Sequence, residues 1–283
     1  DTGCDQDTIS GNLIRERFSL ALPFIGITMK GRSAAVTNDD CLIEGNQIVN
    51  IFNPTGISDG VFSRSFNRGT MIIGNHFYQT ANRLGTNTTM APNMRAIEIT
   101  NPGFFDDSGG FVIRDNWIGG TAPFCGGAAL NLVNPSGPAV FFGIFAHGGN
   151  TLTRIDGNHI TNLDLSFRDP TSPNWYFFMG ISIAGGNVEV GVQKANYIGS
   201  DTSDLSIILR CRKANTGSVF CAGINDQGSS AITIANNRIG GISLEVLNSN
   251  NAGLIGLVGI NTYLGGGDIR DNPIGSTTPM NSI

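Results

Sequence analysis

The chain has 283 residues, a formal net charge of -5, only 14% charged residues and 39 glycines. Disorder is excluded, because a disordered chain needs high charge and low hydrophobicity. The acidic balance offers no basic surface to nucleic acid and no apolar run nears the roughly 18 residues of a membrane span, so we expect neither nucleic-acid binding nor membrane insertion.

Read from its N-terminus, the chain returns to one phrase centred on an asparagine. An Ile stands three positions before this Asn in seven of eight copies, with Gln193 as the exception, and a large apolar residue stands two positions after it. The residue just before the Asn is Gly, Asp or Asn in seven copies, types that tolerate a positive φ. The mean spacing is about 37 residues, and the marked positions are Asn12, Asn46, Asn75, Asn116, Asn158, Asn196, Asn237 and Asn272.

A second marker, Gly-Ile or a close relative, falls between each pair of consecutive asparagines. Its first residues are Gly26, Gly60, Ala96, Gly143, Gly180, Gly223 and Gly259. The interval from Asn to marker holds the longest insertions, at about 119–141, 163–178 and 200–220. Insertions in one interval of a repeat emerge as loops on one face, which is often the binding face. We therefore predict recognition there.

The repeat predicts the fold, because no unit holds two amphipathic helices and each unit is rich in short β-type segments. We expect an all-β, single-stranded, right-handed parallel β-helix of seven to eight coils of about 37 residues. Its Ile columns become inward stacks. The asparagines become an internal stack at the corner of each coil, where Asn tolerates αL geometry and each amide bonds the next.

The strings DNWIGGTAP, NRIGG, NYIGS and NPIGSTTPMNSI resemble right-handed parallel β-helix repeats of the pectin-lyase-like kind. More narrowly, they resemble the long repetitive exported proteins of Bacteroidetes-type bacteria. The resemblance covers essentially the whole chain, so we expect residues 1–283 to form one continuous β-helix segment of a longer protein. It implies a secreted or cell-surface location.

The first functional hypothesis is a non-enzymatic extracellular stalk or adhesive surface of a larger bacterial protein. Its expected partners are surface glycans, a host or neighbouring cell surface, and flanking repeats of the same chain. A phage tailspike-like fibre is an alternative, and it would require a trimer.

The other alternative is a carbohydrate-active enzyme, because many β-helices of this shape are polysaccharide lyases or glycoside hydrolases. Asp39 and Asp40, followed by Cys41, resemble the Asp-Asp-Cys segment of polygalacturonase-type hydrolases. The other motifs of that family are not matched, since the nearest strings, AHGG at 146–149 and RID at 154–156, fall in one coil. This departure favours a solvated turn at Asp39–Asp40. We therefore predict no catalytic residue, and this pair is only the nominal candidate if the chain is an enzyme.

Two further features are candidate sites. Cys211 and Cys221, ten residues apart, predict either a disulfide across an outer loop of an exported protein or two buried thiols. Trp175 and Tyr176 would contact glycans if exposed, and would otherwise pack on the coil.

Metal binding has little support in the sequence. Asp106 and Asp107 lie in a Gly-rich loop and could ligate Ca²⁺, but two adjacent carboxylates are too few, so we predict no metal site and no cofactor. His76 and His159 each follow a corner Asn, so both should point outward, in separate coils.

Overall fold

The chain is built from short parallel strands that stack into four sheets. The computed structural model describes residues 5–16, 22–33, 36–86, 93–100, 109–168, 175–200, 206–212, 218–229, 231–247, 255–263 and 267–275. Within these ranges there are strands and turns but no helix, and hence no helix long and apolar enough to cross a membrane.

Sheets 1 and 2 flank the Asn corner. Sheet 1 contains, in spatial order, β1 (Thr8–Ser10), β5 (Leu42–Glu44), β9 (Met71–Ile73), β13 (Val112–Arg114), β17 (Thr153–Asp156), β21 (Asn187–Val190), β25 (Ala231–Ala235) and β29 (Asp268–Arg270). Sheet 2 contains β2 (Leu13–Ile14), β6 (Gln47–Val49), β10 (His76–Tyr78), β14 (Trp117–Ile118), β18 (His159–Ile160), β22 (Tyr197–Gly199) and β26 (Arg238–Gly240).

Sheets 3 and 4 complete each coil. Sheet 3 contains β11 (Arg83–Leu84), β15 (Leu130–Asn134), β19 (Leu163–Arg168), β23 (Ile207–Arg212) and β27 (Ile242–Leu247). Sheet 4 contains β3 (Ile25–Met29), β7 (Ile57–Ser63), β12 (Asn93–Ile99), β16 (Val140–His147), β20 (Trp175–Gly185), β24 (Val219–Asp226) and β28 (Ile255–Thr262). A two-stranded sheet pairs β4 (Asn38–Asp39) with β8 (Asn67–Arg68).

Every strand pairs in parallel with the equivalent strand one coil away, for example Ile113 with Ile155. A chain that crosses four sheets in order and returns to the first is a parallel β-helix, so the predicted fold is confirmed. One inward column runs Ile9, Ile43, Ile72, Ile113, Ile155, Val190, Ile234 and Ile269.

This column corrects the alignment at Gln193. Val190, not Gln193, pairs with Ile155 and Ile234, because the turn before Asn196 carries extra residues. All eight positions of the column are therefore β-branched and aliphatic.

The asparagines form the predicted internal ladder. Each Nδ2 donates to the Oδ1 of the next Asn over 2.8–3.1 Å, without a break from Asn12 to Asn272. Asn158 also donates to the backbone oxygen of Ile113 in the preceding coil, at 2.9 Å. The residue before the Asn carries the positive φ, as at Gly157 (67°) and Asp115 (57°), which its residue types indicated, whereas the αL geometry expected of the Asn itself is not observed.

The Gly of the second marker is required by space. A Cβ on Gly143 would lie 2.6 Å from Ile160 Cδ1 and 2.6 Å from the backbone oxygen of Gly180. Gly180 and Gly223 would meet Ile198 and Ile239 in the same way. Sheet 4 therefore packs directly on the inward apolar column of sheet 2, and a side chain at any of these three glycines would push the two sheets apart.

The prediction that the three long insertions are loops on one face is wrong for most of their described residues, although the first insertion does contain a turn at 121–128. They contain β15, β19 and β23, the central strands of sheet 3. Alternate residues of these strands, such as Leu132, Leu165 and Leu209, lie in the core. The recurring insertion is thus a fourth side of the coil.

Candidate functional site

The residue that directly follows each ladder Asn from Asn12 to Asn237 lies on sheet 2 and points out of the coil. Pairing aligns these residues across successive strands. We use the name aromatic strip for four aromatic residues of this column, for Arg238 at its end and for Phe124 from a nearby turn. Its residues are His76, Trp117, Phe124, His159, Tyr197 and Arg238. His76 and His159 lie on this outer face in separate coils, as the sequence predicted, and both are half-buried.

The rings of the strip stack along the coil axis. The Trp117 and His159 ring centroids are 3.9 Å apart with planes 2° apart, and His159 and Tyr197 follow at 4.8 Å and 2°. The guanidinium carbon of Arg238 lies 5.7 Å from the Tyr197 ring centroid, a cation–π distance. Since each ring covers the face of the next, the accessible parts are the ring edges, which carry N–H and O–H groups.

Phe124 adds an open ring at the other end of the stack. It lies nearly perpendicular to His76 (centroids 4.3 Å apart, planes at 71°) and to Trp117 (5.4 Å, 77°). It is 63% exposed, unusually high for a Phe in so many contacts. An apolar ring on a wet surface can accept another apolar face.

A tight turn holds Phe124 in place. Gly126 accepts from the backbone N–H groups of Thr121 and Ala122, and the Asn162 amide donates to the carbonyl of Cys125 at 2.9 Å. Phe124 and Cys125 have φ of 58° and 54°. Bulky residues rarely adopt positive φ, and such strain concentrates at functional sites.

The two histidines of the strip are both held towards the neutral form. Burial lowers the pKa of His76. Burial, and then Lys194, lower the pKa of His159, while Asp115 opposes them. Lys194 and Asp115 form an ion pair at 2.5 Å beside this part of the strip. Near neutral pH the strip therefore carries its positive charge on Arg238.

Asp39 and Asp40 lie at the edge of the coil, away from the strip. The carboxylate of Asp39 is 4.0 Å from Arg68 Nε, and Asp40 is exposed with φ 55°. The geometry is that of a charged turn. No group of three or more His, Cys, Asp or Glu that could hold a metal ion occurs in the part of the chain the structure describes.

The remaining predicted sites are spread over the molecule. Tyr176 is 44% exposed and meets Phe220 edge to face, with centroids 6.1 Å apart, on the outer face of sheet 4. The side chain of Trp175, and both Asp106 and Asp107, lie outside the described residues.

Cys211 and Cys221 lie on β23 and β24 as buried thiols. Burial, and then the neighbouring Cys211, raise the pKa of Cys221. These positions belong to the core of two sheets, which agrees with the second of the two alternatives from the sequence, two buried thiols. Oxidation of the pair stays a prediction for mass spectrometry.

A buried ionic cluster on the outer face of sheet 4 was missed in the sequence. Arg95 pairs with Glu98, and its guanidinium carbon lies 5.3 Å from the Phe145 ring and 5.7 Å from Phe142. Burial raises the pKa of Asp59 to about 8, and the hydrogen bond and charge of Glu98 add to this while Arg95 opposes it. Asp59 therefore keeps its proton at neutral pH, and both Asp59 and Glu98 are almost fully buried.

Comparison of the chain with family models, with curated proteins and with solved structures finds no significant match.

Proposed function

We propose that the chain is a non-enzymatic β-helix segment of an exported bacterial protein, and that the aromatic strip is its adhesive surface for a polysaccharide chain. The observation that carries the proposal is the exposed ring of Phe124 beside a row of polar ring edges. A sugar ring packs its apolar face on Phe124. Its hydroxyl oxygens then receive hydrogen bonds from the edges of His159 and Tyr197 and from Arg238.

Rigidity favours binding at this strip. The backbone of sheet 2 is hydrogen-bonded in every coil, and stacking fixes the rings against one another. Groups that are already ordered lose little conformational entropy when a ligand binds. The column from His76 to Arg238 crosses five strands, or about 19 Å at the usual strand spacing, which gives room for several consecutive sugar units.

The same architecture supports the proposed stalk role. Seven strand spacings separate the first and last strands of sheet 1, which makes a rod of about 34 Å. The resemblance to pectin-lyase-like repeats and to exported proteins of Bacteroidetes-type bacteria supports a secreted or cell-surface location. Flanking repeats of the same chain and a glycan-coated cell surface are the partners we propose.

The test is retention of the protein on a panel of immobilised polysaccharides, comparing the native chain with Phe124→Ala. Losing one ring contact of about 1.4 kcal/mol weakens binding about tenfold. Phe24→Ala is the matched control, because Phe24 is 56% exposed but lies off the strip. We expect Phe24→Ala to bind like the native chain.

Two results would contradict the proposal. Equal binding by Phe124→Ala and the native chain, or no retention on any polysaccharide, would remove the adhesive role of the strip. Release of reducing ends from a polysaccharide, abolished in Asp40→Asn, would show an enzyme.

A further inference from the structure

The turn that presents Phe124 is fastened to the strip by a titratable side chain. The backbone N–H of Phe124 donates to Nδ1 of His76 over 3.1 Å. The two rings are in contact as well, at 4.3 Å between centroids. His76 thus holds both the backbone and the side chain at the tip of the turn.

We propose that protonation of His76 releases the tip of this turn, so that acid weakens the adhesive surface. The inference rests on the proposed function only for its second half, since release of the turn is a property of the chain alone. It assigns to His76 the role of a positioning residue for Phe124.

The step is a simple change of hydrogen-bonding partners. In neutral His76 the lone pair of Nδ1 accepts the Phe124 N–H, and the ring proton is on Nε2. Uptake of one proton from solvent places N–H on both nitrogens. Nδ1 then faces the Phe124 N–H as a second donor, and the bond is lost.

The surroundings of His76 favour a local response. Gln47 on the preceding strand and Trp117 on the following strand flank it in the column, and neither can ionise. Tyr78, further along the same strand, donates its hydroxyl to Gln47 at 2.8 Å, and the other titratable ring of the strip, His159, lies beyond Trp117. Burial is the cause of the lowered pKa of His76, so release occurs below the usual pKa of about 6.5.

The rest of the turn stays bonded to Asn162 when the tip at Phe124 is released from His76. Asn162 donates to the carbonyls of Cys125, Gly127 and Ala128 on the far side of the turn, and none of these bonds involves His76. The positive φ of Phe124 and Cys125 is relieved when the tip opens. The expected motion is therefore confined to the tip.

The test is hydrogen exchange of the whole chain between pH 8 and pH 4.5, followed by mass spectrometry of fragments covering residues 121–128. After correction for the intrinsic effect of pH, the native chain should lose about tenfold in protection of this segment on acidification, which corresponds to loss of one hydrogen bond. Protection that stays constant over this range would overturn the proposal.

Two variants locate the response. His76→Gln keeps an acceptor that does not titrate, so protection should become independent of pH. His159→Gln is the matched control from the same strip, and it should respond to acid like the native chain. A response that persists in His76→Gln, or disappears in His159→Gln, would contradict the assignment to His76.

The polysaccharide panel then separates this inference from the proposed function. Binding that falls at acid pH in the native chain but not in His76→Gln supports both. If binding does not change with pH although the segment opens in acid, control of adhesion by His76 is refuted, but the adhesive strip is still supported. If the segment opens in acid but the chain binds no polysaccharide at any pH, the adhesive strip is refuted and the release of the turn is still supported.

Discussion

The corner between sheets 1 and 2 and the outer face of sheet 4 are both buried, but in different ways. At the corner every coil places an Asn, whose amide finds partners in the adjacent coils. On sheet 4 one outward column changes through Asp59, Arg95, Phe142, Met179 and Ala222 in successive coils. Repetition thus marks the positions whose polar groups are satisfied through the stack, whereas outward positions adapt to local neighbours.

Replacing Asn158 by Leu should have the largest effect, since it breaks the ladder at its middle. The change removes the bonds to Asn196 and to the Ile113 carbonyl, and it leaves the Asn116 amide without its acceptor. Several buried groups lose partners, each at about 1–3 kcal/mol. We expect the free energy of unfolding to fall by about 4 kcal/mol in a urea titration.

Asn12→Leu is the control for this change. Asn12 is exposed, and its amide donates to Asn46 at the first described step of the ladder. Its replacement should cost only about 1 kcal/mol. Equal losses for the two variants would argue against a cooperative buried ladder.

Gly143→Ala tests the contact between sheets 2 and 4. The new methyl would lie 2.6 Å from Ile160 Cδ1 and from the Gly180 oxygen, so the sheets must separate slightly. Overpacking of this kind costs about 2 kcal/mol, measurable as a lower midpoint of thermal unfolding. Ala96→Gly, in the same column, should lower the free energy of unfolding by under about 1 kcal/mol. If Gly143→Ala left the unfolding midpoint unchanged, lack of space could not be the reason for Gly at the marker.

The Asp59–Glu98 pair predicts a pH effect that the Asn corner lacks. The folded chain keeps a proton on Asp59 up to about pH 8, while the unfolded chain loses it near the ordinary Asp pKa of 3.8. The stabilisation is therefore complete below pH 3.8 and is lost as the pH rises through 8.

We expect the free energy of unfolding to fall by about 2 kcal/mol between pH 6 and pH 9. Asp59→Asn should flatten this dependence, while Asp268→Asn, at an exposed carboxylate, should leave it unchanged. If Asp59→Asn kept the pH dependence of the native chain, a group other than Asp59 would be responsible for it.

Phe124→Ala should have the smallest effect on stability, within about 0.5 kcal/mol, because Phe124 is mostly exposed. The urea midpoint measures it. A loss comparable to that of Gly143→Ala would mean that the ring supports the coil, and a loss of glycan binding could then not be assigned to direct contact.

The sequence predicted the parts of the molecule that repeat by residue type. The Asn ladder, the Ile column and the outward His76 and His159 were all evident from spacing. Sheet 3 was not, because its strands fall in intervals of variable length. The signal was the alternation in Leu130 and Leu132, repeated at Leu163 and Leu165.

The aromatic strip was only partly visible, because no single residue type marks it. Its column is fixed by position, one residue after each ladder Asn, and that offset could have found Trp117 and Tyr197. Phe124 lies in the insertion at 119–141, where the sequence predicted recognition, but its contact with the strip could not be predicted because it reaches the strip from a turn. The raised pKa of Asp59 depends on burial and on Glu98 from the next coil, which spacing does not reveal.

The most direct test of the account is a pair of distances between spin labels on the outward column of sheet 1. Pairing places Thr8, Glu189 and Asp268 in this column, five and seven strand steps from the first. Electron–electron resonance should give about 24 Å from position 8 to 189 and about 34 Å from 8 to 268, at 4.8 Å per strand. A distance from 8 to 268 no longer than that from 8 to 189 would contradict an in-register β-helix.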